Sequence, residues 1–179
     1  MANNCKREEL GNKSFQCALD AIIVGPAGWT LTLVHKLIFN RKIGDVMITL
    51  KQAKTIIEAA EAKATSIGQP MNIAVADEGG NLIAHVRKDG AWIGSIDISI
   101  KKAYTSRAFD ISTKDLAEHS QSGGQFFGIH ASNNGKIMIF AGGIPLRHAG
   151  KVVGAIGVSG GSGEQDHKVA ESGAAAFAA

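Results

Sequence analysis

From Val152 the sequence VVGAIGVSGGSGEQDHKVAESGAAAF changes its rhythm once, and that change limits the folds open to the chain. Val152 to Val158 is a short apolar run of β-forming residues, whereas Val169, Gly173 and Phe177 recur at helical spacing. A strand, a glycine-rich turn and a helix must therefore follow one another. Ser162 stands three residues before Gln165, the capping-box spacing at which a hydroxyl and an amide satisfy free N–H groups at a helix start.

The turn imitates a phosphate cradle without its chemistry. No lysine and hydroxyl follow the glycines as a P-loop requires, and Gly157, Gly160, Gly161 and Gly163 do not space as a dinucleotide fingerprint. Glu164 and Asp166 occupy the first helical turn, where they already complement the positive end of the helix dipole and would repel a phosphate. A cleft beside this turn suits a neutral or cationic group.

Upstream the punctuation is regular. Thr49 and Gln52 form a second capping box, Ala53, Ile56, Ile57, Ala60, Ala64 and Ile67 share one helical face, and Gly68 with Pro70 ends the helix. MNIAVA and NLIAHVR flank DEGG as a β-hairpin. A helix over residues 95–109, with Ile96, Ile100 and Ala103 inward, and a short helix from Ser112 follow. KIMIF and the VVGAIGV run read as two strands joined through AGGIPLRHAG. The order helix, hairpin, two helices, hairpin, helix is an α+β plan, a small antiparallel sheet flanked by helices.

Regular punctuation starts at Met47, so residues 47–179 form the domain and residues 1–46 a non-core extension. At 179 residues one sizeable core is expected. A net charge of +3, one Tyr and two Trp give no nucleic-acid signature. Cys5 and Cys17 lie in the extension and form neither a disulfide framework nor a zinc spacing, which favours a reducing, cytoplasmic compartment. No uncharged apolar run reaches the length of a membrane span, and Ala21 to Val34 makes a poor signal peptide.

Six histidines, at positions 35, 85, 119, 130, 148 and 167, include no i, i+4 pair that would hold a zinc ion on a helix. His85 and His148 read as solvated or hydrogen-bonded surface groups. His119 and His130, the latter in the loop HSQSGGQFFGIHASNNGK, are the better candidates for a ligand, and His130 is the candidate for haem iron. No G-x-S-x-G elbow exists. Acid–base chemistry could run through Asp166 or Glu164, with Lys102 or Arg87 as the complementary cation. A pocket carboxylate at position 166 would lose function in Asp166→Asn with stability almost intact.

VADEGGNLIAHVRKDGA, KKAYTSRAF and the segment from NNGKIMIFAGGIPL to GVSGGSGEQDHKVAESGAAAF together resemble the GlcG/HbpS-like family, which includes the C-terminal domain of PduO. The resemblance covers residues 47–179 and implies a small sheet flanked by helices, commonly in homo-oligomers. It also implies a small-ligand or tetrapyrrole-binding accessory protein, for haem or a corrinoid. Matching positions are Asp77, Gly80, Arg87, Asp89, Gly90, Lys102, Thr105, Gly142, Gly143, Pro145, Gly160, Gly161, Glu164, Gln165 and Asp166. Where family members ligate haem through a histidine on the first helix, residues 49–67 offer none, which leaves an oxygen ligand or His130.

The leading expectation is a cytoplasmic, homo-oligomeric binding protein holding haem, a corrinoid or a small metabolite, with neither nucleic acid nor membrane as partner. Its pocket would lie between the sheet and the loop carrying Gly123, Gly124 and Gly128, with catalysis secondary or absent. Two alternatives are a cofactor-independent enzyme moving a proton on a small hydroxy- or oxo-acid, and a scaffold docked through residues 1–46.

Overall fold

Thr49 caps the first described helix as its sequence dictates: its N–H donates to Gln52 Oε1 (2.9 Å), and Gln52 N–H donates back to Thr49 Oγ1 (3.2 Å). The structure is a computed structural model, and it describes residues 47–178. The reading of residues 1–46 lies outside the described residues.

Helix α1 (Leu50–Ser66) leads to the hairpin β1 (Asn72–Ala76) and β2 (Leu82–Arg87). The hairpin turn is fixed by Asp77, whose Oδ1 accepts from the N–H groups of Gly79 and Asn81, both at 2.8 Å. Helices α2 (Gly94–Phe109) and α3 (Thr113–His119) follow, then two 3-10 turns, Ile129–Ala131 and Asn133–Gly135. The second hairpin, β3 (Gly143–His148) and β4 (Lys151–Ser159), feeds helix α4 (Gly163–Ala178). The strands form one antiparallel sheet in the order β2-β1-β4-β3. The α+β plan and element order are those expected from the sequence. Among the described residues no helix is long and apolar enough to cross a membrane.

The two faces of the sheet are chemically unlike. Ile73, Val75, Ile156 and Val158 point to α1 and α4, where they pack with Ile56, Ala60, Val169 and Ala170 in the main apolar core. Ala74, Ala76, Ala155 and Gly157 alternate onto the α2 face, because side chains in a strand change face at every residue. That face is nearly flat, so α2 comes close enough that a Cβ on Gly157 would collide with the backbone of Ser99 and Ala103.

This close approach overturns one expectation for α2. Ala103 is buried as expected, but Ile96 and Ile100 are only half-buried. The fully buried residues are Ser95, Ser99, Lys102, Thr105 and Ser106 alongside Ala103, since only small or extended side chains fit against alanine and glycine. Ser99 and Ser106 satisfy their hydroxyls locally, donating to the carbonyls of Ile96 and Ile111 at 2.8 Å each.

A second correction concerns KIMIF, which forms no strand. Thr105 captures its backbone instead, accepting from Met138 N–H (2.9 Å) and donating to the Lys136 carbonyl (3.2 Å). One side of β4 pairs with β1, leaving a single free edge, and GIPLRH takes it. Pro145, which has no N–H to donate, is tolerated because β3 is that edge.

Candidate functional site

The start of α4 brings the expected residues together. Ser162 N–H donates to Gln165 Oε1 (2.9 Å), and Gln165 N–H reaches Ser162 Oγ (3.3 Å), completing the capping box. Glu164 points to solvent, whereas Asp166 turns inward and is 2% exposed. Its Oδ1 accepts from Gly161 N–H at 2.9 Å, and its Oδ2 meets Lys102 Nζ at 2.6 Å. Lys102 is 0% exposed, reaches across from α2, and also donates to the Val158 carbonyl at 2.9 Å.

Burial pushes the Lys102 ammonium below its usual range, with the Asp166 charge opposing. Burial likewise pushes the Asp166 carboxyl up, against the pull of Lys102 and of the Gly161 and Gly160 N–H groups. Desolvation leads in both, as expected where water is excluded.

The end of KIMIF and the glycines after it are pressed onto this pair. Phe140 lays its ring 4.7 Å from Lys102 Nζ. Gly142, at φ +121°, sits where a Cβ would fall 2.9 Å from Lys102 Nζ and 2.5 Å from the Val158 carbonyl oxygen. Gly142 O in turn accepts from Val158 N–H at 2.8 Å, and Gly143 N–H donates to Thr113 Oγ1 at 2.8 Å. Lys102, Thr105, Gly142, Gly143 and Asp166 thus form one buried fastening that holds residues 138–143 against α2 and α4. With every polar contact of the ion pair turned inward, its chemistry is that of a fixed anchor for this segment.

Other expected site residues lie elsewhere. Arg87 donates through Nε to the Ala91 carbonyl (2.9 Å), bracing the turn after β2, and Asp89 is exposed in that turn. Gly123, Gly124, Gly128 and His130 belong to the loop after α3, where His130 is exposed on a 3-10 turn. His119 is exposed and packs edge-on to Phe126, with ring centroids 6.1 Å apart. His148 is exposed at the end of β3. His85, expected at the surface and solvated or hydrogen-bonded, is half-buried; its Nε2 has no partner, and burial lowers its pKa.

Two adjoining clefts open on the outer side of the fastened segment, sharing Lys114 and Ala141. One, of about 470 Å³, is lined further by Gly163, Glu164, His167, Lys168 and Glu171. The other, of about 420 Å³, is walled by Ala117, Ile139 and Phe140, with Glu118 and Gln121 at its edge. Glu164 is the residue from the sequence-based site that reaches them, and Gln121 is the contribution of the glycine-rich loop. Sequence reasoning passed over His167. The available signal was its i, i+4 relation to Glu171 on the helix that the capping box starts, which places the imidazole beside the turn.

A family model described as haem degrading protein HbpS-like matches residues 48–175. The uncharacterized 15.0 kDa protein of the dhaT-dhaS intergenic region of Citrobacter freundii is 44% identical over 69% of this chain and 87% of its own length. Among solved structures, the Klebsiella pneumoniae protein ORFY superposes with a TM-score of 0.74 at 36% identity, over 78% of this chain and 97% of that one. PduOC, solved as its haem complex, gives a TM-score of 0.71 at 30% identity, over 73% of this chain and 95% of that one.

Proposed function

Because the chain belongs to the HbpS-like family, we propose that it is a tetrapyrrole-binding accessory protein, with haem as the first ligand to test and a corrinoid or a small metabolite as the alternatives. The observation that carries this reading is the pair of adjoining clefts between α3 and α4. A tetrapyrrole needs an apolar wall for its macrocycle and cations for its carboxylates, and binding sites of this kind are mostly apolar with few placed polar groups. Ile139, Phe140, Ala141 and Ala117 supply the wall, and Lys114 and Lys168 supply cations at the rim. The likeness to PduOC, a protein solved with haem, supports the same ligand class.

In this reading the Lys102–Asp166 fastening is structural support for the wall, since it fixes Phe140 and Ala141 from behind. When bound, haem would bring iron redox and ligand-exchange chemistry, while the protein supplies shape, charge and shielding from water. Homo-oligomerisation and a cytoplasmic setting belong to the same proposal. Trp92 and Ile93, 67% and 74% exposed before α2, give apolar surface of the kind that subunit contacts cover.

Titration of ferric haem into the full chain should give a saturable one-to-one change in the Soret band at micromolar protein. A linear, non-saturating change at that concentration would refute the proposal.

A further inference from the structure

We propose that His167 is the residue that ligates the iron of a haem seated in these clefts; this rests on the reading above and goes on to assign the ligand within it. Among the described histidines His167 alone lines either cleft. Its side chain is 19% exposed, partly shielded by the helix and the cleft wall it lines.

The ring also has unspent bonding capacity. Its Nδ1 is buried with no hydrogen-bond partner, and its Nε2 stands 3.4 Å from Glu171 Oε1, beyond the range of a well-formed hydrogen bond. Enclosure of Nδ1 leaves Nε2, the nitrogen nearest Glu171, to meet a ligand. An imidazole in a partly apolar slot is the common proximal ligand of haem iron. Lys114 and Lys168 line the same cleft, so one haem could place its iron at His167 and its carboxylates at the lysines.

The assignment also answers a shortage. No histidine lies on α1, and His130 stands exposed outside both clefts. His167 is carried by a capped helix whose first turn is anchored by Asp166, so its backbone is held by the buried fastening. Iron ligands mounted on rigid elements are placed more precisely than those on loops.

The test uses the full chain, ferric haem, and three variants, His167→Ala, His167→Gln and His130→Ala, each checked for an unchanged far-ultraviolet circular dichroism spectrum. The expected result is a Soret maximum and electron paramagnetic resonance signal that change in both His167 variants, with affinity weakened at least about tenfold, the lower end of losses at disturbed metal sites. Millimolar imidazole should restore the parent spectrum to His167→Ala, and His130→Ala should behave as the parent. His167→Gln retains a long polar side chain on the helix, so it stays informative if the alanine variant unfolds. Parent-like affinity and spectra in the His167 variants would overturn the assignment while leaving haem binding intact. Transfer of the loss to His130→Ala would move the iron to the loop. Absence of saturable binding by the parent would instead overturn the functional reading, and the ligand assignment with it.

Discussion

Asp166→Asn tests the fastening most directly. The substitution preserves size and an acceptor for Gly161 N–H but removes the charge that faces Lys102 at 2.6 Å. Lys102 is left 0% exposed with the Val158 carbonyl as its remaining hydrogen-bond acceptor. Breaking a buried pair by removing one partner costs about 3–5 kcal/mol. An independent ceiling exists, since the lysine can give up its proton. Holding a lysine neutral at pH 7 against an ordinary pKa of about 10.4 costs about 4–5 kcal/mol, so the two routes agree.

The pH dependence distinguishes this cause from generic damage. Burial already lowers the Lys102 pKa with Asp166 present, and without Asp166 it falls further. Between that lowered value and about 10.4 the unfolded chain binds the extra proton, so the stability of Asp166→Asn must rise with pH by up to about 1.4 kcal/mol per unit. Urea unfolding from pH 7 to 10 would measure it through the midpoint at constant slope. At neutral pH the melting temperature should fall by about 6–20 °C, from about 2–4 °C per kcal/mol for a domain of this size. The double variant Lys102→Met with Asp166→Leu should recover most of the loss, as apolar replacements of buried pairs do. A loss under about 1 kcal/mol without the rise toward pH 10 would refute a pair closed to water. A pocket carboxylate would have left stability almost intact in Asp166→Asn, whereas the burial of Asp166 predicts this loss.

Gly142→Ala should lower stability by about 2–5 kcal/mol in the same unfolding assay, because it adds both a strained left-handed φ and overpacking against Lys102 and Val158. Parent-like stability would mean that residues 140–142 are not pressed on the pair. Deleting residues 1–46 should leave thermal unfolding cooperative and the melting point nearly unchanged; an insoluble or non-cooperative product would place the segment in the core.

Local chemistry was legible and distant pairing was not. The boxes Thr49–Gln52 and Ser162–Gln165, the stop at Gly68 and the Asp77 turn each depend on residues within a few positions, so the sequence displays them directly. Asp166 was legible as a charge at a helix start and Lys102 as a complementary cation, but Arg87 competed for that role. The sheet had to be folded before α2 could deliver Lys102 across it. KIMIF and GIPLRH are both short apolar runs, and only the single vacant edge of β4, together with the capture of KIMIF by Thr105, decides between them. The inward face of α2 defeated periodicity because the surface it packs on is alanine and glycine. His167 was hidden for a related reason, since a cleft is a property of α3, α4 and the fastened segment together.

Strand order also governs how quickly this domain can assemble. Both hairpins, β1 with β2 and β3 with β4, close short loops, and such units form in about 1–10 μs on their own. The central seam is different: β1 pairs with β4, joining Asn72 to Ser159 and Ala76 to Ala155 across most of the domain. Closing so long a loop carries an entropy cost that local contacts do not offset in advance, and such pairings slow folding. The seam between the hairpins, with α2 laid across it, is therefore the step expected to limit the rate of folding. Substitutions at Ala74 or Gly157 should mainly slow folding, whereas those on the outer strands should mainly speed unfolding, a difference that the two arms of a urea chevron would display.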